Sequence, residues 1–374
     1  MRSFYESAAR TALALALAGA ALAGCELEED EREVTAQKLH GGSVTAVAFS
    51  EDGSLLASAG EDDTLRVLDV SDLEVGGSPP VAQTALPEEI AASPMTGHGF
   101  GFTSVAFTPE GSRVIGGNYS YELGGFARAY SLATGDSTPI WSGFCAPIVA
   151  LAVDSSGPVI AAGIGRPFGP GRVVVRAGVE PQLTPFESAV HAATAVALSQ
   201  DATLLAWAAT DGRIRVYDIE AEQVLWELAE AGHEPRGLAF SPDGTALASV
   251  GNDGGSGFDG IAGRLRLWEL EHGTLDRTLS LSDQELSAVA FSHDGTLLAA
   301  GGEDRRIRIV DVGSNVLLHS LRGHGMAVNA IAFSPDEMLL ASGGDDAFVR
   351  LWYIGDLVDT DTDADTDTGE EARR

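Results

Sequence analysis

The sequence predicts an all-β fold, a seven-bladed β-propeller of four-stranded antiparallel blades. Two observations predict it: one apolar phrase returns seven times, and two further strand-like phrases follow its better copies at near-fixed offsets. Residues 44–53 read VTAVAFSEDG, and the phrase recurs at 102–111, 194–202, 236–244, 286–295 and 328–337, with a weaker copy, VALAVDSSG, at 149–157. Its landmark positions are Phe49, Phe107, Val153, Leu198, Phe240, Phe291 and Phe333. They lie about 47 residues apart on average, an interval that suits four-stranded blades with a few inserted loops.

Each phrase is a strand of small and branched apolar residues followed by a tight turn of Ser, Pro, Asp and Gly. These residues supply local side-chain hydrogen bonds and access to positive φ. A second strand follows, as in SLLASAG (54–60), TALASVG (245–251) and MLLASGG (338–344). An Asp comes next (Asp62, Asp211, Asp253, Asp304, Asp346), then a third strand such as TLRVLD (64–69) or FVRLWY (348–353). Both faces of these strands are apolar or small, as expected of a sheet stacked between two neighbours. The 374 residues include 45 Gly, and 44% are hydrophobic, a balance that suits a turn-rich all-β core.

The phrases resemble the WD-repeat family, whose blades take a fourth, outer strand from the preceding sequence repeat. The resemblance covers roughly residues 33–355 and implies a hydrogen-bonded tetrad of His, Ser or Thr, Asp and Trp. The seventh repeat matches it with His324, Ser342, Asp346 and Trp352, and the fifth with His233, Ser249, Asp253 and Trp268. The first keeps His40, Ser58 and Asp62 but has Leu68 in the Trp place. The fourth keeps Asp211, with His191 near the His place, and the sixth keeps only Asp304. The second has Gly97-His98 and has lost the rest, and the third matches nothing. The resemblance also implies that the N-terminal strand, VTAQKL from Val34 to Leu39, closes the ring by completing the last blade. The seventh repeat ends after its third strand and lacks an outer one.

The ends are of another kind. Thr11 to Ala23 is a 13-residue uncharged run of mostly Ala and Leu, too short to span a bilayer, which needs about 20 residues. It fits the apolar part of a secretory signal. It ends Leu22-Ala23-Gly24-Cys25, which resembles the bacterial lipobox. The expected organisation is therefore a lipoprotein signal peptide at 1–24, an acidic tether at 25–32, the propeller at 33–355 and a solvated Asp/Thr tail at 356–374. Cys25 would carry the lipid and hold the protein in the cell envelope, at the outer membrane or the periplasmic face of the inner membrane. Cys145, the other cysteine, then has no partner and is expected as a buried thiol.

The formal net charge of −32 excludes nucleic acid and anionic membrane surfaces as partners. The tail lacks the Gly and Glu positions of an EF-hand loop, so neither a metal nor any other cofactor is expected. No Walker loop, HExxH, paired CxxC or G-x-S-x-G is present. Paired His and Asp invite a hydrolytic reading, but they recur at one position in separate repeats, whereas a catalytic site occurs once. The expectation is a non-catalytic, monomeric scaffold for unidentified protein partners. An enzyme or ligand-binding protein with a site in the central channel, and a component of an envelope assembly complex, are the alternatives. Insertions concentrate between second and third strands, at 118–125, 163–171 and 252–263, with a long link at 87–99. The family resemblance places these loops on the face of the tetrads. Tyr119, Tyr121, Phe168 and Phe258 are the candidate binding residues there.

Overall fold

The apolar phrases form strands because branched and small residues fit a pleated surface buried on both sides. The computed structural model describes residues 32–71, 73, 90–91, 99–120, 124–144, 148–153, 160–164, 172–176, 184–186, 191–253 and 263–358. Among them the chain builds an all-β propeller of four-stranded antiparallel blades. The first sheet orders Val44–Phe49, Leu55–Gly60, Leu65–Asp69 and Ile90–Ala91 from inside out. The next five sheets repeat this plan, beginning at Gly99–Phe107, Ile148–Val153, Ala193–Leu198, Glu234–Phe240 and Leu286–Phe291. The seventh comprises Val328–Phe333, Leu339–Gly344 and Phe348–Tyr353, and its outer strand is Glu33–Lys38 from the other end of the chain.

Boundaries differ from expectation at several points. The segment 118–125 is largely strand rather than loop: Arg113–Ser120 and Gly124–Ser131 pair as far as Ser120 opposite Gly124. The long link at 87–99 contains the outer strand Ile90–Ala91, which pairs with Arg66 and Val67. Asp356 to Val358 are not tail but part of a short helix, Gly355–Val358, whose Leu357 packs on the core between the sixth and seventh sheets. Arg32, assigned to the tether, is hydrogen bonded to this helix through Asp356.

The second strands are the most buried elements; every residue of Leu297–Gly302 and Leu339–Gly344 is buried. Their small side chains let the neighbouring inner strand approach. A Cβ on Gly343 would lie 2.4 Å from Val44 Cγ1, and one on Gly301 would lie 2.9 Å from Val328 Cγ1. Each inner strand accordingly packs beside the next, and Val328–Phe333 packs beside Val44–Phe49. Bulkier residues fill other parts of these interfaces, Trp207 on a second strand and Trp352 on a third, both 1% exposed.

The inner-strand residue four before the landmark Phe or Leu adds a polar stitch between sheets. Thr45 Oγ1 donates to Phe102 O at 2.7 Å, Thr103 Oγ1 to Ile148 O at 2.5 Å, and Thr194 Oγ1 to Pro235 O at 2.8 Å. Asn329 Nδ2 donates to Val44 O at 3.2 Å, joining the seventh sheet to the first. At the fifth sheet Arg236 takes this position and pairs with Glu285 at 2.9 Å.

The first hairpin turn of each well-kept repeat is braced from inside. In the fifth sheet, Ser241 Oγ donates to Asp243 Oδ1 at 2.6 Å and accepts from Ala246 N at 2.9 Å. Asp243 also accepts from Thr245 N. These donors, Ser241 foremost, hold the Asp243 carboxyl below its usual range. Ser50, Ser199 and Ser292 repeat the brace with Asp52, Asp201 and Asp294. The turn requires one residue of positive φ, supplied by Gly53 (φ 71°), Gly244 (φ 69°) and Gly295 (φ 76°), but by Ala202 (φ 54°) in the fourth sheet. A Cβ in this region is unfavourable by about 1–2 kcal/mol, partly offset by the chain entropy a glycine would lose. Ala202→Gly is therefore expected to raise the unfolding free energy by about 0.5–1 kcal/mol in urea denaturation, and Gly244→Ala to lower it by a similar amount.

Candidate functional site

Where third strands begin, the turn leaves backbone donors that no ladder satisfies, and an Asp sits at each described turn of this kind outside the second and third sheets. In the seventh sheet Asp346 accepts from Phe348 N at 3.1 Å and from Gly325 N at 2.8 Å. His324 Nδ1 lies 3.1 Å from the same carboxylate, its Nε2 lies 2.8 Å from Ser342 Oγ, and Trp352 Nε1 donates to Ser342 Oγ at 2.8 Å. One assignment satisfies every group: Trp352 donates to Ser342, Ser342 to His324 Nε2, and His324 Nδ1–H to Asp346. His324, Ser342 and Trp352 are all buried. The relay ties the link before the inner strand to the turn before the third strand.

The first sheet holds the same set short of its Trp. His40 Nε2 lies 2.8 Å from Ser58 Oγ and Nδ1 lies 2.9 Å from Asp62 Oδ1. Thr64 Oγ1 adds a 2.6 Å bond to Asp62, and Gly41 N one of 2.7 Å. Burial alone would push the Asp62 carboxyl up, but the donors Thr64, Gly41 and His40 outweigh it and lower the pKa to about 2. In the fifth sheet Trp268 Nε1 reaches Ser249 Oγ at 2.9 Å, and His233 sits 3.3 Å from both Ser249 and Asp253. Here Arg266 joins, with Nη1 at 2.7 Å from Asp253 and 2.7 Å from His233 Nδ1. Burial, and then the Arg266 charge, lower the His233 pKa to about 4.

Arg266 belongs to a set that sequence reading missed. Where no insertion intervenes, an Arg of the third strand lies four after the turn Asp, giving D-x-x-x-R at Asp62–Arg66, Asp211–Arg215, Asp304–Arg308 and Asp346–Arg350. The fourth and sixth sheets rely on it. Arg215 Nη2 lies 2.7 Å from Asp211, and Arg308 pairs with Asp304, which also accepts from Ser282 Oγ at 2.8 Å. Ser282 stands in the place of the missing histidine. The sixth sheet has Ala300 and Val310 where the fifth and seventh have Ser and Trp. His191 is near enough to favour the ionised Asp211 electrostatically.

Of the residues predicted for binding, Tyr119 alone lies among the described residues. Tyr119 is in a strand, paired with Gly125. Tyr121, Phe168, Phe258, the Gly97-His98 dipeptide, Cys25 and Cys145 lie outside the described residues. Asp253 is held by Arg264, Arg266 and His233. Among the described residues, Glu269, Glu271 and His272 place ligand-type atoms within 4.8 Å of one another. There Glu269 accepts from the backbone of Glu271 and His272 and closes its own turn.

Two consequences follow for stability. Ser342→Ala leaves His324 Nε2 and Trp352 Nε1 buried without partners, and is expected to lower the unfolding free energy by about 1–3 kcal/mol. The equivalent Ala300 has no such neighbours, so Ala300→Ser gains nothing in the same denaturation assay. His233 is neutral in the fold with a pKa of about 4, below the usual 6.5, so the unfolded chain binds its proton first. Its contribution is whole above pH 6.5 and is lost as pH falls towards 4, with a slope of at most about 1.4 kcal/mol per unit. Asp62 adds a second loss between about pH 3.8 and 2. Unfolding free energies across pH 7 to 3 for the protein and His233→Gln are expected to differ in slope between 6.5 and 4; equal slopes contradict the assignment.

A family model described as WD domain, G-beta repeat matches the chain at residues 32–69, 273–311 and 315–353. The matched segment 273–311 runs from the outer strand of the fifth sheet to the third strand of the sixth, so one repeat of sequence straddles two sheets. No curated protein matches the chain.

Proposed function

The chain carries WD40 repeats on a β-propeller, a fold that generally mediates protein–protein interaction, and we propose that it is a non-catalytic binding scaffold held in a bacterial envelope by lipid on Cys25. One observation carries the scaffold reading. The chemically suggestive pairs His40–Asp62, His233–Asp253 and His324–Asp346 occur in three different sheets with the same serine partner and the same buried imidazole. Groups so used stitch a loop to a turn; they are not poised for a substrate.

In this reading the seven sheets form one ring, closed by Glu33–Lys38 as the outer strand of the last blade. The pairing of that strand with Phe348–Tyr353 supports it, as does the Asn329 bond to Val44. The protein is a monomer whose partner engages the face bearing the tetrads, where the inserted segments of the second, third and fifth repeats emerge. Tyr119, Tyr121, Phe168 and Phe258 are its aromatic contacts, since such side chains give large contact area at low entropic cost. The anchor rests on the order of apolar run, lipobox-like ending and acidic stretch, and places the protein at the outer membrane or the periplasmic face of the inner membrane.

Crosslinking in intact envelopes followed by mass spectrometry tests both parts. A partner is expected with the wild type and lost or strongly reduced with Tyr119→Ala combined with Tyr121→Ala, while Cys25→Ser moves the protein to the soluble fraction. Equal capture by the tyrosine variant rejects the proposed face, and membrane retention of Cys25→Ser rejects the anchor.

A further inference from the structure

The point where the N-terminal segment joins the propeller is fixed. Tyr353 N donates to Arg32 O at 2.8 Å, the Arg32 guanidinium reaches Asp356 with Nη2 at 2.9 Å from Oδ2, and Glu33 pairs with Arg350. Glu33 stands opposite Trp352, at the end of the third strand. Arg32 is thus at the rim, on the side of the braced hairpin turns and at the opposite end of the third strand from the turn residue Asp346. Cys25 is seven residues earlier in the chain. Seven residues span at most about 25 Å however they are arranged.

A second observation marks the same rim. Among the described residues, the large apolar side chains left exposed are Val316 and Leu317 on this rim, Val224 and Leu225 at the equivalent place in the fourth sheet, and Met326 beside the tetrad of the seventh. Val316 and Leu317, 52% and 47% exposed, stand where the outer strand of the sixth sheet begins. Val316 lines one cavity with Leu318 and Leu357. Leu357 is next in sequence to Asp356, the partner of Arg32, so the apolar patch is continuous with the root of the tether. Asp294 and Asp311 line that cavity too, which suits a zwitterionic headgroup layer and opposes an anionic one.

Building on the anchoring reading above, we propose that the propeller meets a lipid bilayer through this rim, with Val316, Leu317 and the helix Gly355–Val358 towards the lipid and the tetrad face turned away, open to a partner. The lipid chains supply the binding; the apolar pair sets the orientation.

The test uses full-length acylated protein in phosphatidylcholine vesicles doped with a nickel-chelating lipid. A spin label is carried on an unnatural amino acid at Gly313 beside the patch, at Glu220 on the turn side of the fourth sheet, or at Asp283 on the tetrad face. Relaxation at Gly313 is expected to exceed that at Glu220 and Asp283 several-fold, and Val316→Ser with Leu317→Ser is expected to narrow the difference. Equal relaxation at the three sites, or a maximum at Asp283 or Glu220, overturns the orientation while leaving the anchor standing. An unchanged difference in the serine variant overturns the part given to the apolar pair. Failure of the wild type to incorporate labelled fatty acid overturns the anchoring reading, and the orientation with it.

Discussion

Sheets stacked on both faces govern the rest of this molecule. A sheet with two buried faces has no solvent side on which to place polar residues, so in the sixth and seventh sheets the second strand is reduced to Ala, Gly, Ser and Leu and a neighbour closes to van der Waals contact across glycine. The consequence reaches the sheet ends. Turn amides and link carbonyls there are shielded by adjacent sheets, and an unsatisfied buried polar group costs roughly 1–3 kcal/mol. The turn Asp answers that demand. Once buried, its own charge must be compensated.

The chain compensates it in two ways. One is the histidine relay, which needs a serine below it and gains a tryptophan beside it, as in the fifth and seventh sheets. The other is an arginine from the third strand, which neutralises the carboxylate directly and needs no serine; the sixth sheet, with Asp304, Arg308 and Ser282, is built so. The histidine and its serine are therefore kept together in the first, fifth and seventh sheets and absent together in the sixth, because a lone buried serine or imidazole would be left unpaired. Apparent erosion of a repeat is thus a change of chemistry at one end of a sheet, with the fold beneath it unaltered.

Much of this was legible in the sequence. The apolar phrase and its turn marked each inner strand and hairpin, and Ser241 with Asp243 forms the brace their types imply. The tetrad residues of the first, fifth and seventh repeats are joined as expected. The arginines were hidden in plain view: D-x-x-x-R is as regular as the histidine pattern, but a charged residue inside a strand reads as a solvated position unless its burial is known. The Thr45, Thr103, Thr194 and Asn329 stitches were equally visible as polar residues at one register. What they bond, a carbonyl of the next sheet, depends on packing that no local pattern encodes. The loop expected at 118–125 gave way to strand for a different reason. Strand Arg113–Ser120 runs further than its composition indicates, because its partner Gly124–Ser131 continues the ladder and turns a supposed loop into sheet.

The outer strand of the seventh sheet has a bearing on how the molecule comes into being. Six sheets are assembled from neighbouring hairpins, contacts that form quickly because little chain must be confined between them. The Glu33–Arg350 pair closes a span of 317 residues, for which loop entropy alone amounts to about 5 kcal/mol if the intervening chain is unstructured. If the intervening hairpins form first, most of that penalty is removed before the ends meet. Glu33–Lys38 thus leaves the ribosome early, and its stable partner exists only after Tyr353 has been synthesised. Until then it is a bare, partnerless edge, and its protection in that interval becomes a matter of translation speed and chaperoning, decided before the native state exists.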